Sequence, residues 1–126
     1  MARILVVDDD EMVLSMFKDV IKLLGHEVIA LDNAKLALEY LSVGHVIDLL
    51  ITDVVMPNMD GQELVNHILD DNGLTSFPII MISGEVFGRD LSRILESERV
   101  TFIQKPIRVG DLMAAINVRI NMDAHS

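Results

Sequence analysis

Five times along the chain a short run of aliphatic residues gives way to a longer stretch whose apolar side chains recur at helical spacing. No other feature of the sequence narrows the possible folds as far, because period two and period 3.6 cannot be exchanged without turning apolar side chains out to water. The short runs cover residues 3–7, 27–31, 46–51, 78–82 and 100–104, and the helical stretches cover 12–24, 34–41, 61–69, 90–95 and 111–120. Val13, Phe17, Val20 and Leu24 fall on one helical face, with Gly25 as a stop, and Leu112, Ile116 and Ile120 form a second stripe. The runs "ILVV", "IDLLI" and "PIIMI" are nearly continuous in apolar residues rather than alternating, as a parallel sheet covered on both faces requires. Five βα units of this kind predict a doubly wound α/β sandwich. With 126 residues, 51% of them hydrophobic, there is material for one core. There is no repeat, low-complexity tract or Pro/Gly/Ser linker, so a single domain is expected over residues 1–122, with 123–126 a short polar tail.

Composition removes several function classes. The chain has no cysteine, hence no disulfide framework, thiolate zinc site or thiol nucleophile. No apolar run nears the roughly 18 residues of a membrane span, and Met1-Ala2-Arg3 leads into too few apolar residues for a signal peptide, so a cytoplasmic location and no membrane partner are expected. The formal charge of −10, with no clustering of the basic residues in sequence, repels phosphate backbones and anionic lipid. Protein or small cationic partners are expected, and no direct contact with nucleic acid.

In open α/β folds the residues just after the strands converge on one crevice. The first strand exits into Asp8, Asp9 and Asp10, the third into Asp53, the fourth into Ser83 and the fifth into Lys105. Taken singly, an acid at a strand end is an ordinary helix cap and a lysine before proline an ordinary solvated side chain. Taken together, carboxylates that bind a hard cation, a fixed positive charge and a hydroxyl donor describe an anion-handling metal site.

Over residues 3 to about 121 the chain resembles the response-regulator receiver domains of two-component signalling. The resemblance is carried by the acidic pair after the first strand, by "DVVMPNMDG" from Asp53, by "SG" after the fourth strand and by "KP" after the fifth. It implies a flavodoxin-like (βα)5 sandwich with a parallel five-stranded sheet of order 2-1-3-4-5. It further implies that Asp53 is the phosphoacceptor, that Asp8 and Asp9 organise Mg²⁺ with Asp53 and the backbone carbonyl of Val55, that Lys105 is the cation, and that Ser83 and Phe102 are the switch residues. The partners implied are a sensor histidine kinase or histidine phosphotransfer protein, which donates from a phosphohistidine, and a downstream protein target. Catalysis is then confined to the chain's own phosphorylation and dephosphorylation, so the protein is not an enzyme in the usual sense. A cis Lys105-Pro106 bond, directing the ammonium at Asp53, belongs to the same resemblance.

The aspartate triplet divides on this reading. Asp8 and Asp9 face the crevice, while Asp10, ahead of "EMVLSMF", is the amino cap of the first helix. Asp60 caps the third helix with Glu63 in a capping box, Gly61 opens that helix, and Gly84 allows close backbone approach to a phosphate. Met56, Met59 and Met81 read as core filler, and His26, His45, His67 and His125 as surface residues. Three features depart from the family pattern: Val55 offers no side-chain ligand, Ile107 follows "KP" in place of phenylalanine, and "SERVTF" lacks a Gly-Ala. Side chains at Val55 and Glu85 are implied to flank the path of the hydrolytic water. Two other readings compete. A phosphohydrolase of the haloacid dehalogenase type shares the aspartyl-phosphate chemistry, but it needs a second aspartate two residues after its nucleophile, where Val55 stands, and a cap domain. A receiver fold that serves as an interaction module and is never phosphorylated is the other.

Overall fold

The computed structural model describes residues 1–71, 77–84 and 89–124. Strands and helices alternate throughout: β1 (Arg3–Val7), α1 (Glu11–Leu23), β2 (Glu27–Leu31), α2 (Ala34–Ser42), β3 (Leu49–Asp53), α3 (Gly61–Asp70), β4 (Ile79–Ser83), α4 (Ser92–Glu96), β5 (Val100–Gln104) and α5 (Val109–Ala124). All pairings are parallel and the order is β2-β1-β3-β4-β5, the flavodoxin-like arrangement.

The continuous apolar runs have the expected cause. Ile4, Val6, Leu49, Ile51, Ile80 and Ile82 face a cluster containing Phe17, Ile21, Leu112 and Ile116 from α1 and α5. Leu5, Val7, Leu50, Ile79 and Met81 face the opposite cluster, with Ala37, Leu64, Ile68 and Ile94 from α2, α3 and α4. Both faces of the inner strands are thereby removed from water, and β3 and β4 are buried at every residue. The edge strands β2 and β5 are only half-buried. Met56 and Met81 are buried and Met59 packs against the same cluster, so all three fill core space.

Several boundaries differ from the pattern-based expectation. β3 begins at Leu49 rather than residue 46, because Asp48 turns the chain into register: its N–H donates to the Arg3 carbonyl and its carboxylate accepts from the Arg3 N–H at 2.7 Å. Val46 stays exposed. α4 begins at Ser92, not residue 90, since the Asp90 carboxylate accepts from both the N–H and the hydroxyl of Ser92, and it forms a turn ahead of the helix. α5 starts at Val109 and runs to Ala124, through residues expected to form a polar tail. Asn, Met, Asp and Ala carry no stop signal, and polarity alone does not end a helix. His26 is half-buried instead of superficial, and its Nδ1 accepts from the Ala2 N–H at 3.0 Å. No helix among the described residues is long and apolar enough to cross a membrane.

Candidate functional site

The carboxyl ends of β1, β3, β4 and β5 bring the singled-out residues to one edge of the sheet. Asp8 follows β1 and continues its pairing, with its N–H donating to the Leu31 carbonyl at 3.2 Å. Its side chain is 1% exposed. One carboxylate oxygen accepts from the Asp10 N–H at 2.8 Å, and the other is buried without a hydrogen-bond partner among the described residues. Burial pushes this carboxyl up to about 6; the Asp10 N–H and Lys105 pull it down, while the charges of Asp53 and Asp9 add to the rise.

Asp53 is the last residue of β3 and is buried. Its Oδ2 accepts from Lys105 Nζ at 3.0 Å, and its Oδ1 lies 3.4 Å from the Val55 N–H. Asp8, Asp9 and Asp53 each present an oxygen, and these atoms lie within 4.8 Å of one another. Three carboxylates at that separation, answered by one ammonium and including an unpartnered buried oxygen, suit a hard divalent cation with oxygen ligands. Asp10 stands apart from them: its Oδ1 accepts from the Met12 and Val13 N–H groups at 2.9 and 3.4 Å, which makes it the α1 cap. Ser83, buried at the end of β4, is one position beyond the Asp53 partner Ile82, and its carbonyl accepts from the Lys105 N–H at 2.7 Å. The Lys105-Pro106 peptide is cis. Phe102 pairs with Met81, the β4 partner of Thr52, so it lies two strands from Asp53 and one register position short of it, and it packs, partly buried, against the cluster that contains Ile94 of α4. The side chain of Val55 is exposed. Glu85 lies outside the described residues.

Some of the site's construction was not foreseen from the sequence. Gly61 opens α3 as expected, but a Cβ there would sit 1.7 Å from the Asp53 carbonyl oxygen, so the residue is required by close packing. A glycine at the first helical position, where propensity gives no reason for it, was the available signal. A Cβ at Gly84 would make only ordinary contact with Lys105 Cδ at 3.7 Å. Asp60 does cap α3 through the Glu63 N–H at 3.0 Å, but its second oxygen is taken by Arg89 at 2.8 Å. Arg89 also donates to Gln62, whose amide donates to the Asp90 carbonyl at 2.9 Å, so the entrance to α4 is fastened to the start of α3.

Comparison with known proteins identifies the family and the fold. Residues 4–117 match the sequence profile of the response regulator receiver domain. A two-component response regulator of Oryza sativa subsp. indica is 31% identical over 110 residues, spanning 87% of this chain and 75% of the relative. The polar-differentiation response regulator DivK of Brucella anthropi is 31% identical over 113 residues, spanning 90% of this chain and 91% of its own length. Among solved structures, the signal receiver domain of a signal transduction histidine kinase from Syntrophus aciditrophicus superposes with a TM-score of 0.85 at 28% identity, covering 96% of this chain and 91% of that one. A CheY-like receiver domain protein from Methanospirillum hungatei JF-1 gives 0.84 at 25% identity, with 98% of both chains covered.

Proposed function

The chain belongs to the response regulator receiver domain family, and from that premise we propose that it is a phosphoacceptor in a two-component phosphorelay, with Asp53 as the acceptor. The observation that carries the reading is the position of Asp53: among the described residues its carboxylate joins both the acidic cluster and the Lys105 ammonium. An Asp53 oxygen attacks phosphorus, the phosphorus–nitrogen bond of the donor phosphohistidine breaks, and the imidazole leaves with the electron pair. The obstacle is anion meeting anion. Lys105, 3.0 Å from Asp53 Oδ2, offsets part of that repulsion and holds the carboxylate in place for the incoming group. Asp8, Asp9 and Asp53 would hold Mg²⁺ together with the Val55 carbonyl, and the bound ion supplies the remaining charge neutralisation. The unpartnered Asp8 oxygen supports that assignment, because a buried anionic oxygen with nothing to meet it is costly.

The donor is a sensor histidine kinase or a histidine phosphotransfer protein. Ser83, beside Asp53 at the sheet edge, is the hydroxyl that meets the phosphoryl group, and Phe102 responds on β5, remodelling the surface of α4, β5 and α5 for a downstream protein. The dehalogenase-type alternative is disfavoured by Val55, an exposed aliphatic side chain where that chemistry needs a second aspartate. Incubation with acetyl phosphate, with and without Mg²⁺, followed by intact mass and peptide mapping, tests the proposal. One phosphoryl group at Asp53, dependent on Mg²⁺ and absent from Asp53→Asn, is expected. Mg²⁺-independent labelling, or phosphate on a serine or histidine, would overturn it.

A further inference from the structure

Thr52 is fully buried, and on β3 it alternates with Ile51 and Asp53, so it shares a face with Leu50 and Val54 in the apolar cluster against α3. A hydroxyl in such a place costs free energy unless it is bonded, and valine has the same shape without that cost. The Thr52 hydroxyl has one described partner: it donates to the carbonyl oxygen of Asp53 at 3.0 Å. Gly61 closes on the same oxygen from α3, at a distance that leaves no room for a Cβ, and the Thr52 Oγ1 is itself 3.0 Å from where that Cβ would be. The Asp53–Val54 peptide is therefore held at its oxygen by Thr52 and at its nitrogen by the Ile82 carbonyl, 3.0 Å away. The following carbonyl, of Val54, accepts from the Gly61 N–H at 2.9 Å. The backbone next to the carboxylate that meets Lys105 is thus held at the Asp53 carbonyl, the Val54 N–H and the Val54 carbonyl, and one of these restraints is a side chain that core packing does not call for.

We propose that Thr52 is a positioning residue for the acceptor: its hydroxyl sets the Asp53–Val54 peptide plane, from which the Asp53 carboxylate and the Val55 backbone extend into the site. The inference rests on the reading of Asp53 as phosphoacceptor and adds a determinant of its reactivity that touches neither the phosphodonor nor a metal. In-line attack is sensitive to small displacements, so a peptide plane that has lost one of its restraints slows phosphorylation even though the fold is intact.

Stability and reactivity separate the two roles open to Thr52. Thr52→Val keeps the shape and removes the hydroxyl; Thr52→Ser keeps the hydroxyl and removes a buried methyl. Initial rates of acetyl phosphate labelling at saturating Mg²⁺ are measured beside thermal melts for the wild type and both variants. The valine variant leaves the Asp53 carbonyl without the Thr52 donor and is expected to melt lower and label about tenfold more slowly, whereas the serine variant, which loses a buried methyl and also melts lower, is expected to label within about twofold of wild type. Equal rates in all three proteins, or slow labelling in both variants, overturn the inference while leaving the acceptor assignment standing. A wild-type protein that takes no phosphoryl group at Asp53 overturns the functional reading and this inference with it.

Discussion

Replacing Asp8 with asparagine should stabilise the metal-free protein near neutral pH, against the usual expectation for a buried residue at a site. Asp8 is 1% exposed, with one oxygen bonded to the Asp10 N–H and the other unpartnered. Its carboxyl is raised from 3.8 to about 6, chiefly by burial. The folded protein therefore holds this proton more tightly than the unfolded chain does. The resulting contribution to stability is complete below about pH 4 and is lost as pH rises through about 6. The gap between the two values corresponds to about 3 kcal/mol at full ionisation. Asparagine keeps an acceptor for the Asp10 N–H and never ionises, and its amide can donate toward the carboxylates of Asp9 and Asp53 in the same cluster. We expect the variant to exceed wild type by about 2 to 3 kcal/mol near neutral pH in the presence of a chelator, with the difference closing toward pH 4. Urea denaturation followed by backbone circular dichroism suits a chain without tryptophan. Excess Mg²⁺ should narrow the gap by stabilising the wild type more. A variant no more stable than wild type near neutral pH, or a difference that does not change between about pH 4 and 7, would refute the reasoning.

Gly61→Ala should lose about 3 kcal/mol or more and most Asp53 labelling, since the new Cβ meets the Asp53 carbonyl at 1.7 Å and backbone must move; urea melts and intact mass read the two effects. Asp10→Ala should cost about 1 kcal/mol as a lost cap, with Mg²⁺ affinity by calorimetry little changed, while Asp9→Ala should weaken that affinity with little loss of stability. Equal loss of metal affinity in both would contradict the division of the triplet. Val55→Asn should speed decay of phosphorylated protein after donor removal, because the exposed valine has nothing with which to position a water and the backbone carbonyl is retained. Unchanged or slower decay at equal Mg²⁺ would show that position 55 does not set the lifetime.

The sequence by itself determined the layers of the fold and the edge on which its chemistry lies. Apolar runs covered on both faces force a parallel sheet between helices, and strand-end residues of such a sheet share one crevice, so Asp8, Asp53, Ser83 and Lys105 could be grouped without coordinates. The Asp10 cap was legible too, because capping is local, set by a side chain and backbone groups two or three residues away. Only the tertiary structure decided what depends on segments far apart in sequence meeting. Asp48 sets the β3 register through Arg3, 45 residues away, and Arg89 reaches Asp60 across 29. The unpartnered Asp8 oxygen and its raised carboxyl follow from burial among residues that sequence spacing cannot count. The same holds for Thr52 and Gly61, an unremarkable β-branched residue and an ordinary turn glycine until α3 closes over the end of β3 and presses both onto one carbonyl oxygen.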